Sequence, residues 1–345
     1  MNPAKCSEYD YINFLVAAQG SFSAVEAART EPDGGRGAAH DAYTRLLQRL
    51  PPDSEALWAE VSEHVVRHKG MLVIDDTTLD KPYANQMALV TRHWSGKHQA
   101  VVQGINLISL VWTDGDCCLP CDYRLYHKAV DGLDKNQHFR DMLQTAQQRG
   151  FTPAMVAFDG WYSSLENLKL LRTLGWHWVT RLKANRQVSL RPGLHQAVSE
   201  LDIPASGLEV HLRGYGLVRV FRTVDRGSPR TLAFVGWFDP NGNAQHWATD
   251  LLDLSESSCQ AYADRAWRIE EYHRSLKQFT GVERAQFRLE IAQRNHIGLA
   301  LRAFVRLELH RTFTLVSHYH SKLSIVRDAI RRFRAHPVLF PFPTA

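Results

Sequence analysis

The feature that most constrains the fold is a series of three strand-like runs near the middle of the chain. Residues 71–76 read MLVIDD, residues 101–112 read VVQGINLISLVW and residues 118–126 read CLPCDYRLY. Each run has the apolar content and the flanking turn or charged residues that are typical of a strand. Three strands in succession predict a β-meander.

Two helix–strand pairs follow these three strands. Residues 134–150 have a helical apolar pattern and precede the buried run 154–159, and residues 164–175 have a second helical pattern before the strand-like run 176–182. Parallel strands in one sheet need such crossover helices. The order βββαβαβ therefore predicts an α/β core.

The remainder of the chain divides by pattern around this core. Strand-like runs alternate with turn signals before residue 254, and helical patterns resume after it and continue to about Arg334. We predict a helical domain with a helix-turn-helix at 1–68, an α/β core in two parts at 69–184 and 255–312, a β-rich insertion at 185–254 and a basic C-terminal tail at 313–345.

Composition excludes some classes of protein. The chain of 345 residues is 44% hydrophobic and 22% charged, and its apolar runs fall short of the roughly 18 to 20 residues that span a bilayer. The first residues lack the apolar stretch of a signal peptide, and the five cysteines are an odd number. We expect a cytoplasmic protein of the bacterial nucleoid, without a membrane or small-molecule partner.

Charge points to a polyanionic partner. The formal net charge is +5, and the segment 322–334 contains five Lys or Arg residues against Asp328 alone. Near the other end, a helix at 38–50 follows the Pro- and Gly-rich segment 31–37 and carries Arg45 in its first turns. This arrangement suits a helix-turn-helix that touches DNA, and a plain helical cap on the next domain is the alternative.

Acidic residues end two of the predicted strands. Asp75 and Asp76 end the first run, and Asp159 ends the fourth strand. Ligands of open α/β sheets bind at the carboxyl ends of the strands, so these acids would face each other if the two strands are neighbours. Asp159, which Gly160 follows, could instead be a turn residue or a helix N-cap.

A third acid lies in the helical stretch WRIEEYHRSLKQF at 267–279. Glu270, Arg274 and Lys277 fall on one helical stripe with Trp267 beside it, so one acid is surrounded by cations. A solvated face with ordinary salt bridges is the alternative. Three converging carboxylates would repel one another unless they bind divalent cations such as Mg²⁺, and this predicts two-metal phosphoryl transfer.

Several segments of the chain together resemble a known family. The blocks VIDDTTLDKPY, FDGWYSS and WRIEEYHRSLKQ, with the accessory segments AAHDAYTRLL, RHWSGKH and GVERAQFR, resemble the DDE transposases of bacterial insertion sequences. The resemblance is to the RNase H-like group that has a β-strand insertion before the catalytic Glu. It implies that Asp76, Asp159 and Glu270 are the catalytic metal ligands for two Mg²⁺ ions, which Mn²⁺ could replace. Asp75 is the alternative to Asp76, because strand alternation does not choose between neighbours when both faces of a sheet are covered.

The family signature Y-x2-R-x3-E-x6-K implies DNA contacts around Glu270. In this sequence Tyr262 and Arg265 lie one residue further upstream than the signature places them. A π-bulge at 265–267 would absorb the extra residue and return Arg265 to the side of Glu270. Trp267 either stacks on an unpaired base or anchors the helix. The predicted DNA-contacting residues are Lys277, Arg274, Arg268, Trp267, Arg265, Tyr262, Arg45 and Lys97.

The cysteine-rich segment CCLPC at 117–121 has one Cys-x-x-Cys pair without a second pair at a suitable spacing. Zinc binding is therefore less expected than packing of the thiols within a strand.

By this resemblance the chain is expected to bind the terminal inverted repeats of an insertion sequence, to cleave the DNA there and to join the 3′-OH ends to target DNA as a homodimer on paired ends. Two alternatives stay open. One is a DNA-binding derivative that has lost the chemistry, and the other is an RNase H-like nuclease that hydrolyses DNA without joining it.

Overall fold

The computed structural model describes residues 4–32, 37–95, 98–191, 193–223 and 245–336. Its helices are α1 (Glu8–Ala17), α2 (Ala24–Arg29), α3 (His40–Arg49), α4 (Glu55–Val61), α5 (Lys128–Asp131), α6 (Lys135–Gln148), α7 (Leu165–Leu174), α8 (Glu256–Ala266), α9 (Arg268–Phe279), α10 (Glu290–Thr314) and α11 (His318–Ala335). Its strands are β1 (Met71–Asp80), β2 (Thr91–Ser95), β3 (Ala100–Thr113), β4 (Cys118–Tyr126), β5 (Met155–Phe158), β6 (Trp178–Leu182), β7 (Gln187–Ser189), β8 (Gln196–Ala197), β9 (Leu208–Leu212), β10 (Gly216–Thr223) and β11 (Gln245–Thr249).

The chain forms two compact units. One, the helical unit, comprises Met1–Asp53, Gln86–Ala88 and His273–Ala345, and the other, the sheet unit, comprises Ser54–Asn85 and Leu89–Tyr272. The boundary between the units falls inside α9. The predicted domain limits remain a prediction, because these units follow three-dimensional packing and combine segments from both ends of the chain.

The sheet unit contains the predicted α/β core. Within the described residues one sheet of eleven strands forms, and its central order is β4-β3-β1-β5-β6. β1 pairs antiparallel with β3 and parallel with β5, and β5 pairs parallel with β6. The predicted order βββαβαβ is confirmed, with β2 as a further short strand that pairs with the amino-terminal part of β3.

Local sequence explains the two crossover helices. Asp134 and Gln137 form a reciprocal capping box at the start of α6, and Ser164 caps the start of α7. Gly175 ends α7 with φ of 70°, a left-handed conformation that glycine adopts without strain. The apolar side of α6 (Phe139, Met142, Leu143 and Ala146) is buried as predicted.

The insertion extends the sheet beyond β6. β11 pairs antiparallel with β6, and β10, β9, β7 and β8 follow in that order. The described strands agree with the predicted β-rich character of this segment. The strand-like runs predicted at 226–243 lie outside the described residues.

The cysteine-rich segment belongs to β4, so the prediction of strand packing is confirmed. Cys117, Cys118 and Cys121 are buried, and none of the three is in a disulfide. Burial raises the pKa of Cys121, as expected for a thiol that is kept neutral in an apolar environment.

The helical unit is built around α10, whose residues are buried over most of its length. The side-chain amide of Asn295 donates to the carbonyl oxygens of Leu47 (2.8 Å) and Leu50 (2.9 Å), and Tyr11 hydrogen-bonds to His296 at 3.0 Å. These bonds tie α1 and the end of α3 to α10.

The predicted DNA-binding helix corresponds to α3, which contacts α2. Tyr43, Leu46 and Leu47 are buried, whereas Arg45 is exposed and pairs with Asp41 at 2.7 Å. This leaves the charged side of α3 at the surface. Binding of DNA by this helix remains a prediction.

Candidate active site

The two acids of β1 point to opposite faces of the sheet because side chains alternate along a strand. Asp75 is paired with Ser109 of β3, and Asp76 is paired with Ile108. On the Asp75 face, the hydroxyls of Ser109 and Tyr272 of α9 hydrogen-bond at 3.1 Å. Asp75 therefore lies on the sheet face that α9 covers, and α9 carries Glu270.

The opposite face is covered by α6. Ile74 and Phe158 are partners in the parallel β1–β5 register, and the Phe158 ring packs edge-on against Phe139 of α6 with centroids 5.1 Å apart. Asp76 is two residues from Ile74 along β1, so its side chain points to the same face of the sheet. Asp76 and Glu270 are thus assigned to different faces of the sheet.

The β1–β5 register also relates Asp75 to Asp159. Because Ile74 is paired with Phe158, the next residues along the two parallel strands are Asp75 and Asp159. Both follow the buried strand residues at the carboxyl side of the pair, as the sequence predicts for a ligand-binding edge.

The electrostatics of Asp75 indicate a cluster of carboxylates. Burial raises its pKa well above the ordinary value, and the neighbouring carboxylates of Glu270, Asp76 and Asp159 raise it further. The backbone N–H of Asp76 donates to Oδ1 of Asp75 at 2.8 Å and opposes this rise. The carboxylates of Asp76, Asp159 and Glu270 therefore all lie within electrostatic reach of Asp75.

Asp76 has a different environment. Oδ2 of Asp76 accepts hydrogen bonds from Asn106 (2.6 Å) and Lys135 (2.8 Å), and Oδ1 accepts one from the Tyr162 hydroxyl (2.7 Å). Burial acts to raise the pKa of Asp76, but the Lys135 charge and these three hydrogen bonds outweigh it and lower the pKa below its ordinary value. Asp76 is thus held as a carboxylate with a cation beside it.

Sequence reasoning did not single out Lys135, Asn106 or Tyr162. Asn106 is paired with Thr78 across β1 and β3, and the alternation of β1 puts it on the Asp76 face. Lys135 is the first residue of α6. Strand alternation could have identified Asn106 once the register was known, whereas nothing local indicates the contact of Lys135 with Asp76.

The turn after β5 presents Asp159 to solvent. The backbone N–H of Tyr162 donates to the Asp159 carbonyl at 2.9 Å, and a Cβ on Gly160 would lie 2.9 Å from the carbonyl oxygen of Arg181. Glycine is therefore required for this close approach to β6. Asp159 is not the N-cap of α7, since Ser164 has that role.

The donor set suits a hard divalent cation in kind, since it consists of carboxylate oxygens that repel one another at Asp75. Among the described residues, however, no group of three His, Cys, Asp or Glu side chains is arranged to hold a metal ion. The two oxygens of Asp76 already accept hydrogen bonds.

The predicted π-bulge before Glu270 is wrong. The chain instead forms two helices, because α8 ends at Ala266 and α9 begins at Arg268. The N–H of Glu270 donates to the Trp267 carbonyl three residues earlier at 3.0 Å, so the backbone tightens at this point where a π-bulge would widen it.

The break leaves Arg265 and Arg268 near the β3–β4 turn. Arg265 is exposed, and its Nε would lie 3.7 Å from a Cβ on Gly115. Arg268 donates to the Asp116 carbonyl at 2.8 Å and pairs with Glu271. Since the end of β3 is paired with the start of β1, these two cations lie beyond the start of β1, whereas Asp75 and Asp76 lie in the middle of that strand.

The other predicted DNA contacts have varied surroundings. Tyr262 and Trp267 are half-buried, and Lys97 lies outside the described residues. In the helical unit, Arg274 is half-buried and Lys277 pairs with Glu283 at 3.0 Å. DNA contact by these residues remains a prediction.

Across the described ranges, no helix is long and apolar enough to cross a membrane.

The core sheet order and the crossover helices define a mixed α/β fold with one large sheet. A family profile described as "DDE superfamily endonuclease" matches residues 11–199, slightly more than half of the chain. The protein belongs to this DDE superfamily. Asp75, Asp76 and Asp159 lie inside the matched range, and Glu270 lies outside it.

Solved transposase structures are similar to this chain. The piggyBac transposase synaptic complex with hairpin DNA has a TM-score of 0.51 and 10% sequence identity, over 99% of this chain and 74% of that one. The Drosophila P element transposase strand transfer complex has a TM-score of 0.30 and 10% identity, over 99% and 90% of the two chains. The Mos1 strand transfer complex has a TM-score of 0.20 and 12% identity, over 52% and 59%. The piggyBac comparison shows a shared fold. No curated protein matches the chain in sequence.

Proposed function

We propose that this protein is a transposase that binds the terminal inverted repeats of an insertion sequence, cleaves DNA there and joins the freed 3′-OH ends to target DNA. The observation that supports the proposal is that the carboxylates of Asp159, which follows β5, and Glu270 of α9 both act on Asp75 of β1, in a chain of the DDE superfamily. The similarity to the DNA complex of piggyBac transposase supports DNA as the substrate.

The reacting phosphate would lie at the carboxyl edge of β1 and β5. Asp159 and Glu270, with one acid of β1, would be the ligands of two Mg²⁺ ions. When bound, these ions would activate the attacking oxygen and stabilise the leaving oxygen of the phosphoryl transfer. Asp159 is exposed and so can reach an incoming DNA strand, whereas Asp75 is half-buried and its backbone is fixed by the pairing of β1 with β3.

The acid contributed by β1 is either Asp75 or Asp76. The family resemblance implies Asp76. The sheet faces favour Asp75, which shares a face with α9 and a register position with Asp159. In this arrangement Lys135 would keep Asp76 ionised beside the cluster and balance part of its negative charge.

The cations of the C-terminal helices would supply affinity for DNA phosphates. Lys277 would exchange its partner Glu283 for a phosphate, and the exposed Arg45 of α3 would contact the terminal repeat. Two chains would assemble on two DNA ends, because both ends of an element must be cut and joined together. The native mass of the complex with paired terminal-repeat DNA tests this assembly.

The experiment for the function uses the DNA that flanks the gene. Inverted repeats found there are made into labelled duplexes and incubated with the full chain, with and without Mg²⁺. Nicking at the repeat boundary that needs the divalent ion, followed by joining to a target plasmid, supports a transposase. Nicking without joining supports the nuclease alternative, and repeat binding without nicking supports a derivative that has lost the chemistry.

A further inference from the structure

A cavity of about 500 Å³ opens beside the turn that carries Asp159. Its lining includes Trp161 and Ser164 of this turn, Lys183 and Arg186 from the loop after β6, and Arg213 from the β9–β10 turn. All of these residues belong to the sheet unit. The volume lies within the range of about 300 to 1,000 Å³ that is usual for small-ligand pockets. We call this cavity the Trp161 cleft.

Trp161 is a large aromatic side chain with an unusual exposure. Its exposed fraction is 58%, although it is only two residues from Asp159. The ammonium group of Lys183 lies 4.7 Å from the centroid of its ring. The tight packing of Gly160 against β6 constrains the backbone of the turn that carries Trp161.

The charge of the Trp161 cleft is of one sign. Lys183, Arg186 and Arg213 line it, and none of the described lining residues is acidic. Within the described ranges, none of these three cations forms an ion pair with a carboxylate. Arg186 is half-buried, and burial lowers its pKa, so its guanidinium group is incompletely compensated without an anion nearby.

An exposed aromatic ring among uncompensated cations matches the chemistry of an unpaired nucleotide. Base stacking on an aromatic side chain needs a free base face, which only an unpaired base offers, and the cations would hold its phosphates. Duplex DNA offers phosphates to the cations, but its paired and stacked bases offer no free face to the indole ring. The indole ring would be redundant for a phosphate that bound alone.

We propose that the Trp161 cleft binds an unpaired nucleotide of a single-stranded DNA segment next to the reacting phosphate, with the base stacked on Trp161 and the phosphates on Arg186 and Arg213. The inference rests on the proposed function, because it assigns the DNA strand beside Asp159 to this cleft. It makes the cleft a second point of contact that positions the strand without taking part in the chemistry.

The test measures the Kd of a fluorescein-labelled short oligothymidylate for the full chain by anisotropy, in the presence of EDTA so that cleavage is absent. Trp161→Ala should weaken binding about 5- to 150-fold, the range for loss of one base stack, whereas Trp161→Phe should stay within about 3-fold of wild type. Arg186→Gln and Arg213→Gln should each reduce the slope of log K against log salt by about 0.7. Lys169→Gln, on the exposed side of α7, is the matched charge control and should leave Kd unchanged.

Three results would overturn the proposal. The first is an unchanged Kd for Trp161→Ala. The second is an equal loss of affinity in Trp161→Phe and Trp161→Ala. The third is competition by free dTMP or inorganic phosphate that is as strong as competition by the unlabelled oligonucleotide. The last result would assign the cleft to a free nucleotide or phosphate ion. Because the assay contains no divalent metal, its outcome is independent of whether wild-type protein nicks terminal-repeat DNA, so failure of the cleft and failure of the proposed function are distinguishable.

Discussion

The ammonium group of Lys135 lies 2.8 Å from Oδ2 of Asp76, and the two side chains are 19% and 18% exposed. Asp76 thus has its own cation on the α6 face of the sheet, while Asp75 on the α9 face has carboxylates as neighbours. Two adjacent acids of one strand therefore have pKa values shifted in opposite directions. We therefore predict that the two acids have different roles.

Removing the cation should destabilise the sheet unit. Lys135→Ala leaves the buried Asp76 carboxylate without its charge partner and should reduce the free energy of unfolding by about 2–4 kcal/mol. Urea denaturation of the variant measures this, and Lys128→Ala on the exposed α5 is the control that should change stability little. The double variant Lys135→Ala/Asp76→Asn should recover part of the loss. A double variant whose loss equals the sum of the two single losses would show that the two side chains do not interact.

The sheet faces predict which acid of β1 is essential. Asp75→Asn should abolish divalent-dependent nicking of terminal-repeat DNA, whereas Asp76→Asn should retain measurable nicking, because Asp75 shares a face with α9 and Asp76 is bound to Lys135. Initial rates on a labelled duplex make the comparison, with repeat binding measured in parallel to confirm that each variant is folded. Loss of nicking by Asp76→Asn alone would instead favour the assignment implied by the family resemblance.

The sequence predicted much of this site because its main signals are local. The run AMVAFD predicted a strand followed by Asp159, as observed for β5. The run MLVIDD predicted a strand that ends at Asp76, which is wrong, because β1 continues to Asp80. The helical stripe of α9 singled out Glu270, whose role remains a prediction. The choice between Asp75 and Asp76 remains a proposal, and the argument for Asp75 rests on the pairing of Ile74 with Phe158, which is a long-range property. The contact of Lys135 with Asp76 is also a long-range property, because the two residues are 59 positions apart in the sequence.

The register of the helix before Glu270 was mispredicted for a physical reason. One extra residue in a helix can be absorbed by widening one turn or by interrupting the helix, and the sequence alone does not distinguish the two. The chain interrupts the helix at Trp267, where the backbone bond from Glu270 spans three residues. Arg265 consequently lies beside the β3–β4 turn.

A buried ion network in the helical unit predicts a pH dependence of stability. Glu308 accepts hydrogen bonds from Arg311 (2.8 and 2.7 Å) and from His318 (2.8 Å). Burial opposes ionisation, but these bonds and charges lower the pKa of Glu308 from 4.5 to about 2. A carboxylate with a depressed pKa contributes stability that is fully present above its unfolded pKa and is lost as pH falls through its folded pKa.

Glu308→Gln should therefore reduce the free energy of unfolding near neutral pH by up to about 3 kcal/mol. The difference from wild type should shrink as the pH falls from about 4.5 towards about 2. Denaturant titrations at several pH values between these limits measure the difference. Glu290→Gln is the matched control, because Glu290 pairs with Arg294 at the half-exposed start of α10. A difference that does not vary with pH would contradict the assigned role of the Glu308 carboxylate.

Lys322 predicts how the N-terminal helix is held. Its ammonium group donates to the carbonyl oxygens of Leu15 (3.2 Å), Val16 (2.7 Å) and Ala18 (2.7 Å) and so satisfies the C-terminal end of α1. Lys322→Met keeps most of the apolar stem but leaves these carbonyls without the donor, and should cost about 1–3 kcal/mol. Thermal melting measures the loss, and Arg327→Met on the exposed side of α11 should melt like wild type. An unchanged melting temperature for Lys322→Met would show that water satisfies the same carbonyls equally well.

The central claim is that Asp159, which follows β5, and Glu270 of α9 act together in metal-dependent cleavage of DNA. The most direct measurement is the nicking of a terminal-repeat duplex by the variants Asp159→Asn and Glu270→Gln. Both variants should bind the repeat with a Kd close to that of wild type, because phosphate contacts elsewhere supply the affinity, and both should lose Mg²⁺-dependent nicking. Wild-type rates of nicking in either variant, or nicking by wild type that continues in EDTA, would contradict the account.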